Sequence, residues 1–257
     1  MSTLFTGISE LRTVSERGTL NDAALVAESG TISWIGPASE APAADEKVDL
    51  GGRAVLPGWV DSHTHMVFDG DRSAEFEARI SGGSYEAGGI AVTMDATRQA
   101  GTDRLDKLVA DRVAAGRRGG TTTFETKTGY GLNTESEVEA AKVASRHVDD
   151  VTFLGAHLVP PGADAEEYLD EVVGPMLEGV APYVQWIDVF CERGAFNEEQ
   201  SRRVLEAGKK LGLGLRVHGN QLGEGPGVAL AVELGAASVD HVNHLSDEDV
   251  EIGRASC

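Results

Sequence analysis

From Leu56 onward the chain repeats one pattern: a short apolar, β-branched run, then an amphipathic segment with helix-start signals. Strands alternating with helices at this spacing fold as a parallel βα sheet. Six runs fit: 56–65, 121–127, 151–156, 185–190, 214–217 and 237–240. Five of the seven histidines (His63, His65, His157, His218 and His241) stand at the C-terminal ends of these runs. A single histidine in such a place is ordinarily structural or a surface group. Five at the same relative position would converge on one mouth of a βα-barrel, where active sites lie. His63 and His65 are two residues apart, so a buried strand from Leu56 would aim both imidazoles at one point. Neutral imidazole suits zinc or ferrous iron, and the two cysteines offer no structural zinc spacing. An open, catalytic metal site is the natural reading.

The connecting segments carry their own signals. Thr102 to Arg118 reads as a helix with Leu105, Leu108, Val109 and Val113 on one face. Thr134-Glu135-Ser136-Glu137 reads as a capping box opening a helix towards His147. A helix is expected between Asp164 and Glu178, Asn197 caps another with Gln200 three residues on, and Pro226 opens one that Gly235 closes. Residues 1–55 read instead as short strands, among them a hairpin about Glu28-Ser29-Gly30, and form a small β-sandwich portion too short for a core of its own.

Residues 56–250 are thus expected to form a (β/α)8 TIM-like barrel with about six strands present. Two further strands, and with them the C-terminal part of the barrel, would lie beyond the chain, and residues 251–257 are expected to be a non-native tail. The 42 acidic against 22 basic residues give a formal charge of −20, which repels nucleic acid and anionic membranes. No run reaches the ~18–20 apolar residues of a membrane span, and residues 1–20 lack the apolar core of a signal peptide. With only Cys191 and Cys257 there is no disulfide framework, and the cytoplasm is the expected compartment.

The stretch from Pro57 to His65, preceded by a small β-unit, resembles the entry motif of the amidohydrolase superfamily. Within it, the segments 63–72, 125–132, 155–157 and 217–221 resemble the imidazolonepropionase family, over nearly the whole chain. The resemblance implies one divalent metal, zinc or iron, held by His63, His65 and His218 plus an aspartate from the last strand. It implies water-driven opening of the ring of 4-imidazolone-5-propanoate to N-formimidoyl-L-glutamate, a step of histidine degradation. Arg72 then matches the clamp for the propanoate carboxylate, and Tyr130 and His157 match substrate contacts, with Tyr85 expected nearby. His241 matches a histidine that would stabilise an oxyanion or move a proton. His147 and His244 fall off the pattern and read as structural. A homodimer is the assembly the family implies.

One position departs from the family. Many members carry glutamate three residues after the third metal histidine, where this chain has Gln221, which does not accept a proton at ordinary pH. Gln221 would then bind the substrate ring, leaving proton transfer to His241 or to the aspartate. Other readings stay open: a guanine- or cytosine-type deaminase, which leans on that glutamate; a two-metal hydrolase, for which Lys127 is the tempting lysine although it reads as structural, just past the second strand; and a catalytically inactive barrel.

Overall fold

The computed structural model describes residues 1–73, 77, 80–81 and 89–256. The chain forms two compact units, Met1–Trp59 and Val60–Cys257.

The first unit is a single four-stranded sheet of β1 (Ser2–Arg12), β2 (Thr19–Glu28), β3 (Thr31–Pro37) and β4 (Glu46–Val55), in the order β3-β2-β1-β4. The hairpin between β2 and β3 turns on Ser29 and Gly30, both at positive φ (50° and 80°), the two-residue geometry that matches strand twist. Strands β1 and β4 run parallel, and the register slips where Gly51 and Gly52 (φ 62° and 80°) let β4 bulge. Ile8, Leu11, Ala23 and Leu25 bury one side of this sheet, and Leu4, Ala24 and Val26 form a second cluster.

The second unit holds six strands: β5 (Trp59–Asp61), β6 (Thr121–Lys127), β7 (Asp150–Ala156), β8 (Trp186–Cys191), β9 (Gly214–Gly219) and β10 (Ser238–His241). Their order in the sheet is their order in the chain. The pairs from β6 to β10 are parallel. The helices between them are α1 (Gly89–Ala100), α2 (Thr102–Arg118), α3 (Thr134–Ala144), α4 (Ala165–Glu171), α5 (Leu177–Val180), α6 (Glu198–Lys210), α7 (Gly227–Leu234) and α8 (Asp247–Ser256), the last running into the segment expected to be a tail. Arg216 of β9 donates to the carbonyl of Ser62, just past β5, at 3.3 Å. Strands four places apart in the order therefore touch, so the sheet curls like part of a barrel.

Each helix forms where its local chemistry directs. Helix α2 buries Leu105, Val109 and Val113 on the expected face. Asn197 and Gln200 make a reciprocal capping box on α6, and Gly235, left-handed at φ 74°, ends α7. The helix expected between Asp164 and Glu178 is broken by a wide turn at Val172–Met176, where Pro175 removes a backbone donor. Two expectations need correction. Asn133, not Thr134, caps α3, accepting from the Ser136 amide at 2.8 Å. Glu137 is no capping-box partner: it is fully buried and accepts from the amides of Gly129, Gly131 and Leu132 at 2.9, 2.7 and 2.9 Å. It thereby moulds the loop after β6.

The first strand also differs from expectation. Only Trp59–Asp61 is regular, and Leu56, Trp59 and Val60 are exposed rather than buried. The strand lies at the sheet edge with one neighbour, and Pro57 brings no amide to pair. Beyond it the chain stays tied to β6 by individual bonds. The Lys127 amide donates to the Thr64 carbonyl at 2.9 Å, and the Thr64 hydroxyl donates to the Glu125 carbonyl at 2.6 Å. The Met66 amide donates to the Thr126 hydroxyl at 2.8 Å.

Candidate metal centre

Side chains alternate along each strand, so the sheet separates them onto two faces. Phe124, Phe153, Ile187, Val189, Leu215 and Val217 lie in one apolar cluster with the buried residues of the helices. The residues between them are polar: Glu125 and Lys127 on β6, Thr152 on β7, Asp188 on β8, Arg216 and His218 on β9, Asp240 on β10. Register sets them side by side: Lys127 opposite Thr152, Asp188 opposite Arg216, Asp240 opposite His218.

These groups form one ionic network. The Lys127 side chain is 0% exposed, with Nζ 3.1 Å from Glu125 Oε1, 3.1 Å from Asp188 Oδ2 and 3.4 Å from Asp240 Oδ2. Arg216 Nη1 lies 3.3 Å from Glu125 Oε1, and its guanidinium covers the Trp186 ring at 4.4 Å. The Thr152 hydroxyl donates to Glu125. Burial alone would push the Asp188 carboxyl up, but His218 and Lys127 hold it well below the usual range. Burial would likewise lower the Lys127 ammonium, and the carboxylates of Asp188, Glu125 and Asp240 raise it instead.

The network orients the histidines. Nδ1 of His218 lies 3.0 Å from Asp188 Oδ1. An acceptor there puts the proton on Nδ1 and leaves the Nε2 lone pair free. That Nε2 is buried and has no hydrogen-bond partner among the described residues, and the same holds for Nδ1 of His65. His63 Nδ1 stands 2.9 Å from Asp240 Oδ2. One nitrogen from each of His63, His65 and His218 falls within 4.8 Å of the others. Burial, then the neighbouring His157, His218 and His63, push the His65 pKa well below its ordinary value, which favours the neutral ring a metal requires. Buried lone pairs without a partner, each ring held from behind by a carboxylate or by packing, fit a divalent cation.

Around the three histidines stands a wall of rings. His157 stacks on His65 (centroids 5.7 Å apart, 19° between planes), and Tyr130 lies 5.7 Å from His65 and 5.5 Å from His157. Burial drives the His157 pKa down to about 4. Its Nδ1 is 2.9 Å from the Gly129 carbonyl. Gly129 must be glycine: φ is 105°, and a Cβ would come within 2.5 Å of the Leu154 carbonyl and 3.3 Å of the His157 ring. His241, itself at φ 76°, sets its ring 5.4 Å from His63 and 5.0 Å from His218. Arg72 is close enough for its charge to depress His157 further. Glu192, just past β8, anchors the loop after β9 by accepting from the amides of Gln221 and Leu222 at 2.9 and 3.0 Å.

The structure therefore gathers His63, His65, His157, His218, His241 and Tyr130 at one mouth, with Arg72 in electrostatic range. Tyr85 lies outside the described residues. His147 instead meets Asp106 at 3.0 Å, and the His244 backbone is paired with Asn220. Sequence reasoning does not single out Asp188, Asp240 or Glu125, and it reads Lys127, the last residue of β6, as structural. The available signal is alternation: a polar residue set between apolar ones, as in Ile187-Asp188-Val189 and Leu215-Arg216-Val217.

No family model matches the chain. An imidazolonepropionase of Arthrobacter sp. (strain FB24) is 66% identical over 252 residues, 98% of this chain and 63% of that protein. One from Saccharopolyspora erythraea is 64% identical over 251 residues, 97% of this chain and 65% of the relative.

The chain is a homologue of the imidazolonepropionases.

It spans just under two thirds of the length of these relatives. A crystal structure of an amidohydrolase aligns with a TM-score of 0.65 at 16% identity, over 100% of this chain and 64% of its own. That likeness is one of fold, and it places the curled sheet of this imidazolonepropionase homologue in the amidohydrolase architecture.

Proposed function

We propose that the protein hydrolyses the ring amide of 4-imidazolone-5-propanoate to N-formimidoyl-L-glutamate, a step of histidine degradation, using one divalent metal, zinc or iron. The observation that carries this reading is the convergence of His63, His65 and His218, two of them with buried nitrogens lacking a partner among the described residues, in a chain this similar to imidazolonepropionases. A bound dication supplies Lewis-acid activation, lowering the pKa of water towards ~7.

The chain's own residues do the rest. His63, His65 and His218 hold the ion, and Asp188 fixes the tautomer and tilt of His218. Arg72 pairs with the propanoate carboxylate, a task suited to a planar guanidinium. Tyr130 and His157 shape the pocket, and Tyr85 is proposed to join them. His157, neutral above about pH 4, presents a ring without a competing charge. Gln221 hydrogen-bonds the substrate ring. His241, beside both His63 and His218, stabilises the developing oxyanion or carries the proton to the leaving nitrogen. Water's oxygen ends in the new carboxylate, one of its protons on the freed nitrogen and the other on the basic formimidoyl group or in solvent. The substrate is a small soluble acid, and we place the reaction in the cytoplasm, where Cys191 stays a buried free thiol. No helix among the described residues is long and apolar enough to cross a membrane.

The test is metal content together with ring opening, followed by loss of the imidazolone absorbance. A His63→Ala/His65→Ala variant should fall from one metal per chain to nearly none and lose turnover. Full metal retention by that variant would sink the assignment.

A further inference from the structure

Lys127 has no part in the proposed reaction, yet it is wholly buried among Glu125, Asp188 and Asp240. Two overlapping sets of side chains come close enough to hold a cation: His63, His65 and His218, and Asp188, His218 and Asp240. The second set is what a neighbouring second ion would use. Its carboxylates are already engaged, because the Lys127 ammonium stands 3.1 Å from Asp188 Oδ2 and 3.4 Å from Asp240 Oδ2. Asp188 is shared between two partners: His218 Nδ1 lies 3.0 Å from each of its oxygens, and Oδ2 also stands 3.1 Å from Lys127 Nζ. Asp240 likewise stands between Lys127 and His63.

We propose that Lys127 is a positioning residue that serves as the centre's permanent second cation. It holds Asp188 and Asp240 behind His218 and His63, and it limits the centre to one divalent ion. The charges support this. Among the described residues, Lys127 and Arg216 are the fixed cations set against three carboxylates, leaving one negative charge for the ion at the histidines. A second dication at Asp188 and Asp240 would sit against a fixed ammonium in a site poor in water, where repulsion is strong. Lysine is suited to the place: a compact charge on a chain long enough to meet three strands from one position.

This inference rests on the metal reading above, and titration of metal-free protein with Zn²⁺ or Co²⁺, bound ion being measured by equilibrium dialysis, separates the two. Wild-type protein should saturate at one ion per chain. Lys127→Ala, which opens room beside three carboxylates, should take up a second. Lys127→Met fills the same space without charge, and should bind one ion about tenfold or more weakly as Asp188 loses its hold. A second ion bound by wild type with similar affinity, a single ion in folded Lys127→Ala, or unchanged affinity in Lys127→Met would each overturn the proposal. Should the variants fail to fold, the wild-type stoichiometry still decides it. Wild-type protein binding no ion at all would instead sink the metal reading itself.

Discussion

The two faces of the curled sheet are made by the same strands and differ in nearly everything else. In β8, Ile187 and Val189 are buried in the apolar cluster, while Asp188 between them faces Lys127 and His218. In β9, Leu215 and Val217 alternate with Arg216 and His218 in the same way. A one-residue step thus separates side chains held by burial from side chains held by charge. The outer face is stabilised by area removed from water, a term insensitive to small shifts in position. The inner face depends on distances near 3 Å between ionised groups in a poorly solvated interior, where losing one partner leaves another exposed to the full cost of burial. Stability and chemistry are therefore predicted to be separable by substitution within single strands.

The largest effect should come from the outer face. Phe153 is fully buried in the apolar cluster. Phe153→Ala should lose about 3–5 kcal/mol of stability through lost burial and the cavity left behind. Metal stoichiometry at saturation, measured below the melting temperature, should stay the same. Chemical denaturation with parallel metal analysis checks both. A fall in metal affinity as large as the one expected below for the inner face would break the distinction.

The two faces were not equally legible in the sequence. The outer face announces itself, because apolar residues at alternate positions and amphipathic helices such as Thr102–Arg118 report burial directly. Histidines at strand ends were legible for the same reason, since a polar ring that closes an apolar run stands out. The acids and the lysine of the inner face did not, because their meaning lies in register. Asp240 matters by standing opposite His218, and Lys127 by reaching Asp188 across the intervening strand β7, and neither pairing can be read from one strand alone. Glu137 misled through local pattern. Its place after Thr134 imitates a capping box, but tertiary structure turns the carboxylate inward onto three loop amides. The run from Leu56 misled through composition: apolar residues there suggested burial, but an edge position leaves Trp59 and Val60 exposed.

A smaller effect, confined to the inner face, is expected from Asp188→Asn. The amide keeps the shape but gives up the charge that sets the His218 tautomer and half-neutralises Lys127. Metal affinity should fall by about 10–100-fold, the range for losing a carboxylate behind a ligating histidine. Competition with a chelating dye measures it. An affinity within about twofold of wild type would show that packing alone, and not Asp188, orients His218.

The smallest effect sharpens the comparison from outside it. Arg72 belongs to neither face: it is half-buried in the segment after the first histidine pair, and its charge is felt at His157. If its work is to hold the substrate carboxylate, Arg72→Lys keeps the charge and loses only the planar fork. KM for the imidazolone should then rise by about tenfold, with kcat changed much less, because the lost interaction is made equally in the bound and reacting states. Metal affinity and melting temperature should match wild type, unlike the Asp188 and Phe153 variants respectively. Steady-state kinetics beside the same metal titration distinguishes the outcomes. An unchanged KM would move the carboxylate clamp to another residue. Weaker metal binding would instead draw Arg72 into the electrostatics of the inner face, since a cation whose charge reaches His157, the ring stacked on His65, would then be shaping the ligand field and not the substrate.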